Sequence, residues 1–453
     1  MRRLALGILL FLTFYVPVED FVLKWLSVPG AVYAALRQGT DLLVIIAASL
    51  AIGDRVLRTK HFRILGRGLD LLLLLFVVSA FLSALFHRAD SLGVALNLKA
   101  LLRYVLVAYT LLNINIDEPR LRLFGSVFIA ALSIQVLVGV IQLAGGPGVA
   151  SFFLPRTPEE AVAGQQLTFT ATWEVEHGWI FGTIGHTIGF GGFLLVGLAY
   201  WLTGQFARPA RYWVGAVGFL LLAYFTGSRA TTLAVLLMVG LHQYLLGHFG
   251  KKIMLGVFLS PLILVIVLGL GVEFSGNYVT EAFSGDYVQQ AMNQRLGIAL
   301  LVIPYFLSGL GPIDILFGIT PDREIIGQMV SNMFDVPSAL IHQIGMIEDV
   351  YWAALLVYYG IFGVGLLLSF LFRLFGWLWE DSRILNGKAG RLSSIAVLLL
   401  GIAFPLNFLG QFFEIRQFSF YLWLFIGLAF AYQRTLRRAS REANGEVDTQ
   451  SIK

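Results

Sequence analysis

Apolar runs of about 20 residues recur along this chain from end to end, and that repetition limits its fold more than any other feature. A helix rises about 1.5 Å per residue, so one such run covers the roughly 30 Å hydrocarbon core of a bilayer. The runs are continuous rather than alternating over about ten residues, which favours helices over a β-barrel. With 58% hydrophobic and 13% charged residues over 453 positions, and mean hydropathy +0.80, the chain reads as an all-α integral membrane protein.

Met1-Arg2-Arg3 precedes an apolar stretch at 4–16, with no small-residue cleavage site after it. Val18-Glu19-Asp20 leads straight into more apolar sequence, so the stretch reads as an uncleaved first helix. Further spans are expected at 31–53, 69–87, 93–114, 123–143, 180–203, 212–226, 229–246, 253–272, 350–372, 392–410 and 417–433. They bring the expected total to about twelve transmembrane helices. The domain reading is a polytopic membrane domain over 1–433, with a smaller outer loop at 144–179 and a large outer loop at 273–349. A disordered, charged cytoplasmic tail is expected over 434–453.

Orientation follows from the basic residues. With the N-terminus inside, Arg2, Arg3, Arg55, Arg58, Arg63, Arg67, Arg120, Arg122, Lys251, Arg391, Arg434 and Arg438 all fall on cytoplasmic segments, and every alternate loop carries at least two Lys or Arg. Both termini are therefore expected inside. The formal charge of +5 is spent mostly on helix flanks that meet anionic lipid headgroups, which argues against a nucleic-acid partner. Cysteine is absent, so disulfide and thiolate chemistry are excluded.

Lys24, Arg37, Arg88, Lys99, Arg103, Arg156, Arg229, Arg295, Arg323 and Arg416 do not fit that pattern. They fall on the outer side or within spans, where each needs another reason to be present. Arginine offers a planar fork of donors suited to phosphate, and several converging on one cavity would make a pyrophosphate site. Pairing with an acid serves equally: Arg103 with Asp70 or Glu118, Arg416 with Glu414.

The loop at 273–349 gathers an unusual share of the ionisable residues, among them Arg295, Asp314, Asp322, Arg323, Asp335, His342, Glu348 and Asp349, so chemistry is expected there. Within it, 296–306 reads as an interfacial helix. Two shorter motifs stand outside it. Gly182-Thr183-Ile184-Gly185-His186 opens the sixth helix, where glycines permit close approach of backbone or ligand. His186 is read either as a packing residue or as a ligand contact. Thr226-Gly227-Ser228-Arg229-Ala230 joins two helices with almost no loop, Ser228 being placed to cap the second. A helix N-terminus beside an arginine makes an anion site, although Arg229 could also snorkel to headgroups.

Taken in order, Gly182 to His186, Gly227-Ser228-Arg229-Ala230, Arg295 at the start of the large loop, Leu316-Phe317-Gly318, and Glu348-Asp349-Val350-Tyr351-Trp352 leading into Tyr359-Gly360-Ile361-Phe362-Gly363 resemble the O-antigen polymerase and ligase superfamily. The resemblance covers about 69–371, and Arg103 also fits it. It implies a GT-C-like fold and a glycosyltransferase that takes a glycan from undecaprenyl pyrophosphate at the periplasmic face of the bacterial inner membrane. The glycan passes to an acceptor sugar hydroxyl with inversion, without metal or nucleotide. Basic groups would stabilise the departing pyrophosphate and a base would orient the attacking hydroxyl. The resemblance implies pyrophosphate binding by Arg229, Arg295 and Arg103 with Ser228 and His186, and places Glu348, Asp349 and Arg295 in the catalytic roles. A flippase and a chain-length regulator are the protein partners it suggests.

Ligases of that family carry a His-Asn pair where this chain has Glu348-Asp349, which favours a polymerase; His342 is the nearby histidine. Glu348 and Asp349 would also suit the N-terminus of the following helix. A transporter or lipid flippase is the competing class, since twelve helices with both ends inside would serve one. No matching pair of interrupted helices in the two halves marks an inverted repeat, however.

Overall fold

The computed structural model describes residues 1–25, 30–87, 91–154, 175–204, 209–248, 310–319 and 350–443. Helix accounts for 83% of them, with no strand among them. In chain order the first helices are α1 (Arg2–Tyr15), α2 (Glu19–Lys24), α3 (Gly30–Arg37), α4 (Gly39–Thr59) and α5 (Arg67–His87). Then come α6 (Ser91–Leu102), α7 (Val105–Asn113), α8 (Glu118–Phe153), α9 (Thr187–Leu202), α10 (Pro209–Phe225) and α11 (Arg229–Leu245). The last are α12 (Pro312–Phe317), α13 (Tyr351–Ile384), α14 (Gly387–Leu406) and α15 (Arg416–Ala443).

The chain is membrane-embedded. Among the described residues, α5, α8, α13 and α14 are long and apolar enough to cross a bilayer, and α6 with α7 adds a fifth span if the pair, bent by 63°, counts as one. The about twelve expected spans are met only in part by that measure. Helices α1, α9, α10 and α11 have 14, 16, 17 and 17 residues, and α4 carries Asp41, Asp54, Arg55 and Arg58. The expected span at 253–272 lies outside the described residues.

Burial separates lipid-facing helices from interior ones. The apolar stretch of α14 is 83% buried, against 33% in α5 and α8, so α14 is enclosed by protein while α5 and α8 turn broad faces outward. Helix α15 is the axis, packed by α7, α9 and α14. Where α8, α9 and α15 meet, Phe128 lies 5.3 Å from Tyr421, 5.9 Å from Phe193 and 5.6 Å from Phe425, centroid to centroid. Edge-to-face pairs of this kind contribute about 0.5–1.5 kcal/mol each beyond burial.

Several boundaries differ from expectation. Helix α8 continues through 144–153 after a break at Gly146 (φ 66°), so that part of the expected outer loop is helical. Helix α15 runs to Ala443, which makes 434–443 helical where a disordered tail is expected. Val350 holds the N-cap position of α13. Of the large loop, only 310–319 is described. Its short α12 docks where α13 breaks at Gly360, whose φ of 65° faces Gly318 at 80°. A Cβ on Gly360 would fall 2.4 Å from the Gly318 nitrogen, so only glycine fits the crossing. His87 Nε2, 2.9 Å from Asp314 Oδ1, and Ser83 Oγ, donating to the Gly318 carbonyl at 3.1 Å, tie α12 to α5.

Candidate functional site

The break between α6 and α7 places Arg103 and Tyr104 inside the bundle. Interrupted helix at membrane depth is tolerated where protein covers it, and here α4 and α15 do so. Arg103 lies 3.5 Å from the Asp41 carboxylate of α4, donates to the Glu414 carbonyl at 3.1 Å, and sits 4.9 Å from the centre of the Tyr104 ring. Lys99, one turn earlier, reaches Asp41 at 2.8 Å and the Gln38 side-chain carbonyl at 2.7 Å.

A second ionic pair adjoins the first. Arg416, at the start of α15, donates to Glu19 Oε2 and to the Arg37 carbonyl, while Thr40 Oγ1 donates to Glu19 Oε1 at 2.7 Å. Asp20 stands 3.7 Å from Arg37. Glu19 is only 1% exposed; burial pushes its carboxyl above the usual range, and Arg416 and Thr40 oppose that shift. Tyr351, the first residue of α13, donates its hydroxyl to Glu414 Oε1 at 2.7 Å. Arg37, Lys99, Arg103 and Arg416 thus share one polar cluster with Glu19, Asp20, Asp41 and Glu414.

The cluster is not saturated. Asp41 Oδ1, Arg103 Nε and the Tyr104 hydroxyl are buried with no hydrogen-bond partner among the described residues, on side chains whose residues are 4% (Asp41) and 0% (Tyr104) exposed. Native interiors rarely leave such groups unpaired, so each is open to a partner beyond the described residues.

The two glycine motifs flank this cluster. Gln135 and Gln142 lie seven residues apart on one face of α8 and hold the turn before α9. Gln142 Oε1 accepts from the Phe181 and Gly182 amides at 3.0 and 2.9 Å, and Gln135 Oε1 accepts from the Thr183 amide at 2.9 Å. Gln135 Nε2 and Thr183 Oγ1 both donate to the Pro17 carbonyl, at 2.7 and 2.9 Å, two residues before Glu19. His186 caps α9, its Nδ1 accepting from the Gly189 amide at 3.0 Å. In the neutral ring the proton therefore sits on Nε2, which keeps a donor available. Asp20 and Arg37 are the charges that act on this ring.

Ser228 caps α11, accepting from the Thr231 amide at 3.3 Å and the Thr231 hydroxyl at 2.8 Å. The hairpin leans on the α9 turn: Ile180 donates to the Phe225 carbonyl at 3.0 Å, and a Cβ on Gly191 would lie 2.3 Å from Thr231 Oγ1. Arg229 opens α11 at this end.

Of the expected site residues, Arg103, His186, Ser228 and Arg229 gather at this end of the bundle, whereas Arg295, His342, Glu348 and Asp349 lie outside the described residues. The expected ion-pair partners are corrected. Asp70 accepts from the Gly66 amide and the Tyr109 hydroxyl, and Glu118 pairs with Arg122, so neither meets Arg103. Arg416 pairs with Glu19, while the Glu414 carboxylate, in the turn before α15, accepts from Tyr351. Glu19, Asp41, Tyr104 and Tyr351 also build the cluster, although none of them is among the expected site residues. For Glu19 and Asp41 the sequence signal is an acid beside an apolar span, which marks a function or a partner.

A cavity of about 650 Å³ lies between α11, α13 and α14. Trp352, Phe372, Phe375, Trp379, Phe404 and Phe408 line it with no polar surface, and Trp352 is the neighbour in sequence of Tyr351. Among the described residues no three His, Cys, Asp or Glu are grouped to hold a metal ion. Comparison with protein-family models and with curated proteins gave no match.

Proposed function

We propose that this membrane-embedded chain is a GT-C-like glycosyltransferase of the O-antigen or exopolysaccharide polymerase type, with about twelve transmembrane helices. It moves a glycan from undecaprenyl pyrophosphate to an acceptor sugar hydroxyl with inversion, at the periplasmic face of the bacterial inner membrane. The observation that carries this reading is a buried charged cluster, in which Arg103 Nε has no hydrogen-bond partner among the described residues, joined through Tyr351 to the helix whose next residue, Trp352, lines an apolar cavity. A lipid diphosphate needs both: cations for the diphosphate, and an apolar cleft for the isoprenoid chain.

In this reading Arg229 and Arg295 hold the pyrophosphate as it departs, with Arg103, Ser228 and His186 completing the donor set. Glu348 or Asp349, or His342 in their place, stands beside the acceptor hydroxyl as base. Neither metal nor nucleotide takes part. Both termini are cytoplasmic and 273–349 is periplasmic, with a flippase and a chain-length regulator acting alongside. The charge layers support that orientation. Asp41 and Asp54 lie 13 residues apart on α4, about 20 Å along its axis. Asp54 pairs with Arg2 at 2.7 Å and Arg58 at 2.9 Å, both expected inside, while Asp41 meets Lys99 and Arg103, both exceptions to the inside pattern.

Transfer to a lipid A core, the ligase reaction, is the nearest alternative. A transporter gains one observation, the buried Glu19–Arg416 pair, since ionisable groups within a bundle often mark a transport path. A gel profile of surface glycans, with the lipid-linked pool, in a host with and without the gene separates the three. Loss of the long ladder with single repeats still transferred supports the polymerase. Finished polymer held on the carrier assigns a ligase, and an unchanged profile and pool returns the chain to the transporters.

A further inference from the structure

The far end of the bundle holds a second charged site, made almost entirely of arginine. Arg2 of α1 and Arg58 of α4 share Asp54. Arg434 of α15 donates to the Ile64 carbonyl at 2.6 Å and so fixes the turn that carries Arg63. Asn113 at the end of α7 holds the same turn, accepting from the Arg63 amide at 2.8 Å and donating to its carbonyl at 3.0 Å. Four elements thus bring Arg2, Arg55, Arg63, Arg434 and Arg438 close enough to act on one another electrostatically.

Among the described residues, the acids that act on these arginines are already engaged. Asp54 is shared by two arginines, and Asp70, which acts on Arg434, is committed to Gly66 and Tyr109. Neither the Arg55 nor the Arg63 guanidinium has an acidic partner among the described residues, and Arg55 Nε is buried with no hydrogen-bond partner among them. Burial and the neighbouring arginines push the Arg63 guanidinium down to about 10. Orientation in a membrane needs only exposed charge, whereas half-buried, unpaired guanidiniums cost free energy unless an anion answers them. Guanidinium forks suit the tetrahedral oxygens of a phosphate.

We infer that Arg55 and Arg63, framed by Arg2, Arg434 and Arg438, form a binding site for the phosphate of an anionic lipid headgroup. The occupant is a lipid rather than a soluble phosphate because the site lies at the end of a bundle whose outer helices, α5 and α8, turn apolar faces outward. It lies about 20 Å along α4 from the Asp41 cluster and does not depend on the glycosyltransferase reading.

The test uses the full chain purified in detergent, with native mass spectrometry and thermal unfolding read against added phosphatidylglycerol, phosphatidylcholine or inorganic phosphate. Wild-type protein should retain phosphatidylglycerol and melt higher with it, and should gain nothing from phosphatidylcholine. Arg55→Gln with Arg63→Gln should weaken that retention by about tenfold or more, the loss expected for charge-assisted contacts, while Arg122→Gln, at an exposed ion pair, keeps it. Without lipid, the double variant should melt no lower than wild type, because the charges removed repel their neighbours. Undiminished retention in the double variant, or equal retention of phosphatidylcholine, would overturn the site. A lower lipid-free melting point would overturn it too, by making the arginines structural. Equal stabilisation by inorganic phosphate with no lipid retained would overturn the lipid assignment.

Discussion

Glu19 and Arg416 do not tolerate loss equally. Removing Glu19 leaves a buried guanidinium that cannot shed its proton, so Glu19→Ala should cost about 3–5 kcal/mol. Arg416→Met should cost less, because Glu19 can take up a proton and its carboxyl is already pushed above the usual range by burial. The pH sign follows from that direction. Without Arg416 the folded-state value rises further, so Glu19's contribution is full below 4.5 and lost as pH climbs through the raised value. Thermal unfolding of Arg416→Met in detergent should give a higher midpoint at acid than at alkaline pH. A midpoint independent of pH would contradict the buried pair.

Helix α13 depends on the Gly360–Gly318 crossing to hold the only described piece of the large loop. Gly360→Ala forces a side chain into φ 65°, about 1–3 kcal/mol for conformation alone, and drives its Cβ against the α12 backbone. Faster proteolysis within 310–319 in membranes is the expected result, while α12 protected as in wild type would refute the docking. The four or five long apolar spans and the Ser228 cap were legible in the sequence, because spans and turn chemistry are local properties. The Glu19–Arg416 pair was not, since its partners stand 397 residues apart and no periodicity joins them. The break at Gly360 and the helical run to Ala443 were hidden for a related reason: burial against α12, and the continuity of α15, override what composition suggests.

For the whole molecule, the proposed orientation of the two charge layers can be tested directly. The chain has no cysteine, so a single introduced thiol reports its own side. Trp25→Cys, at a residue 57% exposed near the Glu19 layer, should react with an impermeant reagent in intact cells. Arg122→Cys, 70% exposed at the opposite layer, should react only after permeabilisation. The reverse pattern would put the Arg103 cluster in the cytoplasm and remove the periplasmic reading.

The central claim is that the arginines of the charged cluster, with the aromatic cavity that begins at Trp352, act on a lipid diphosphate. Its most direct test is reconstitution of the purified chain with an undecaprenyl-pyrophosphate-linked oligosaccharide, following products by gel and released carrier by mass spectrometry. Wild-type protein should build multiple repeats and free undecaprenyl pyrophosphate, while Arg103→Ala, Arg229→Ala and Arg295→Ala each lose at least about a hundredfold in rate, the scale for removing one donor to developing charge. Full turnover in all three variants, or no carrier released by wild-type protein supplied with its host's own lipid-linked repeat, would contradict the account.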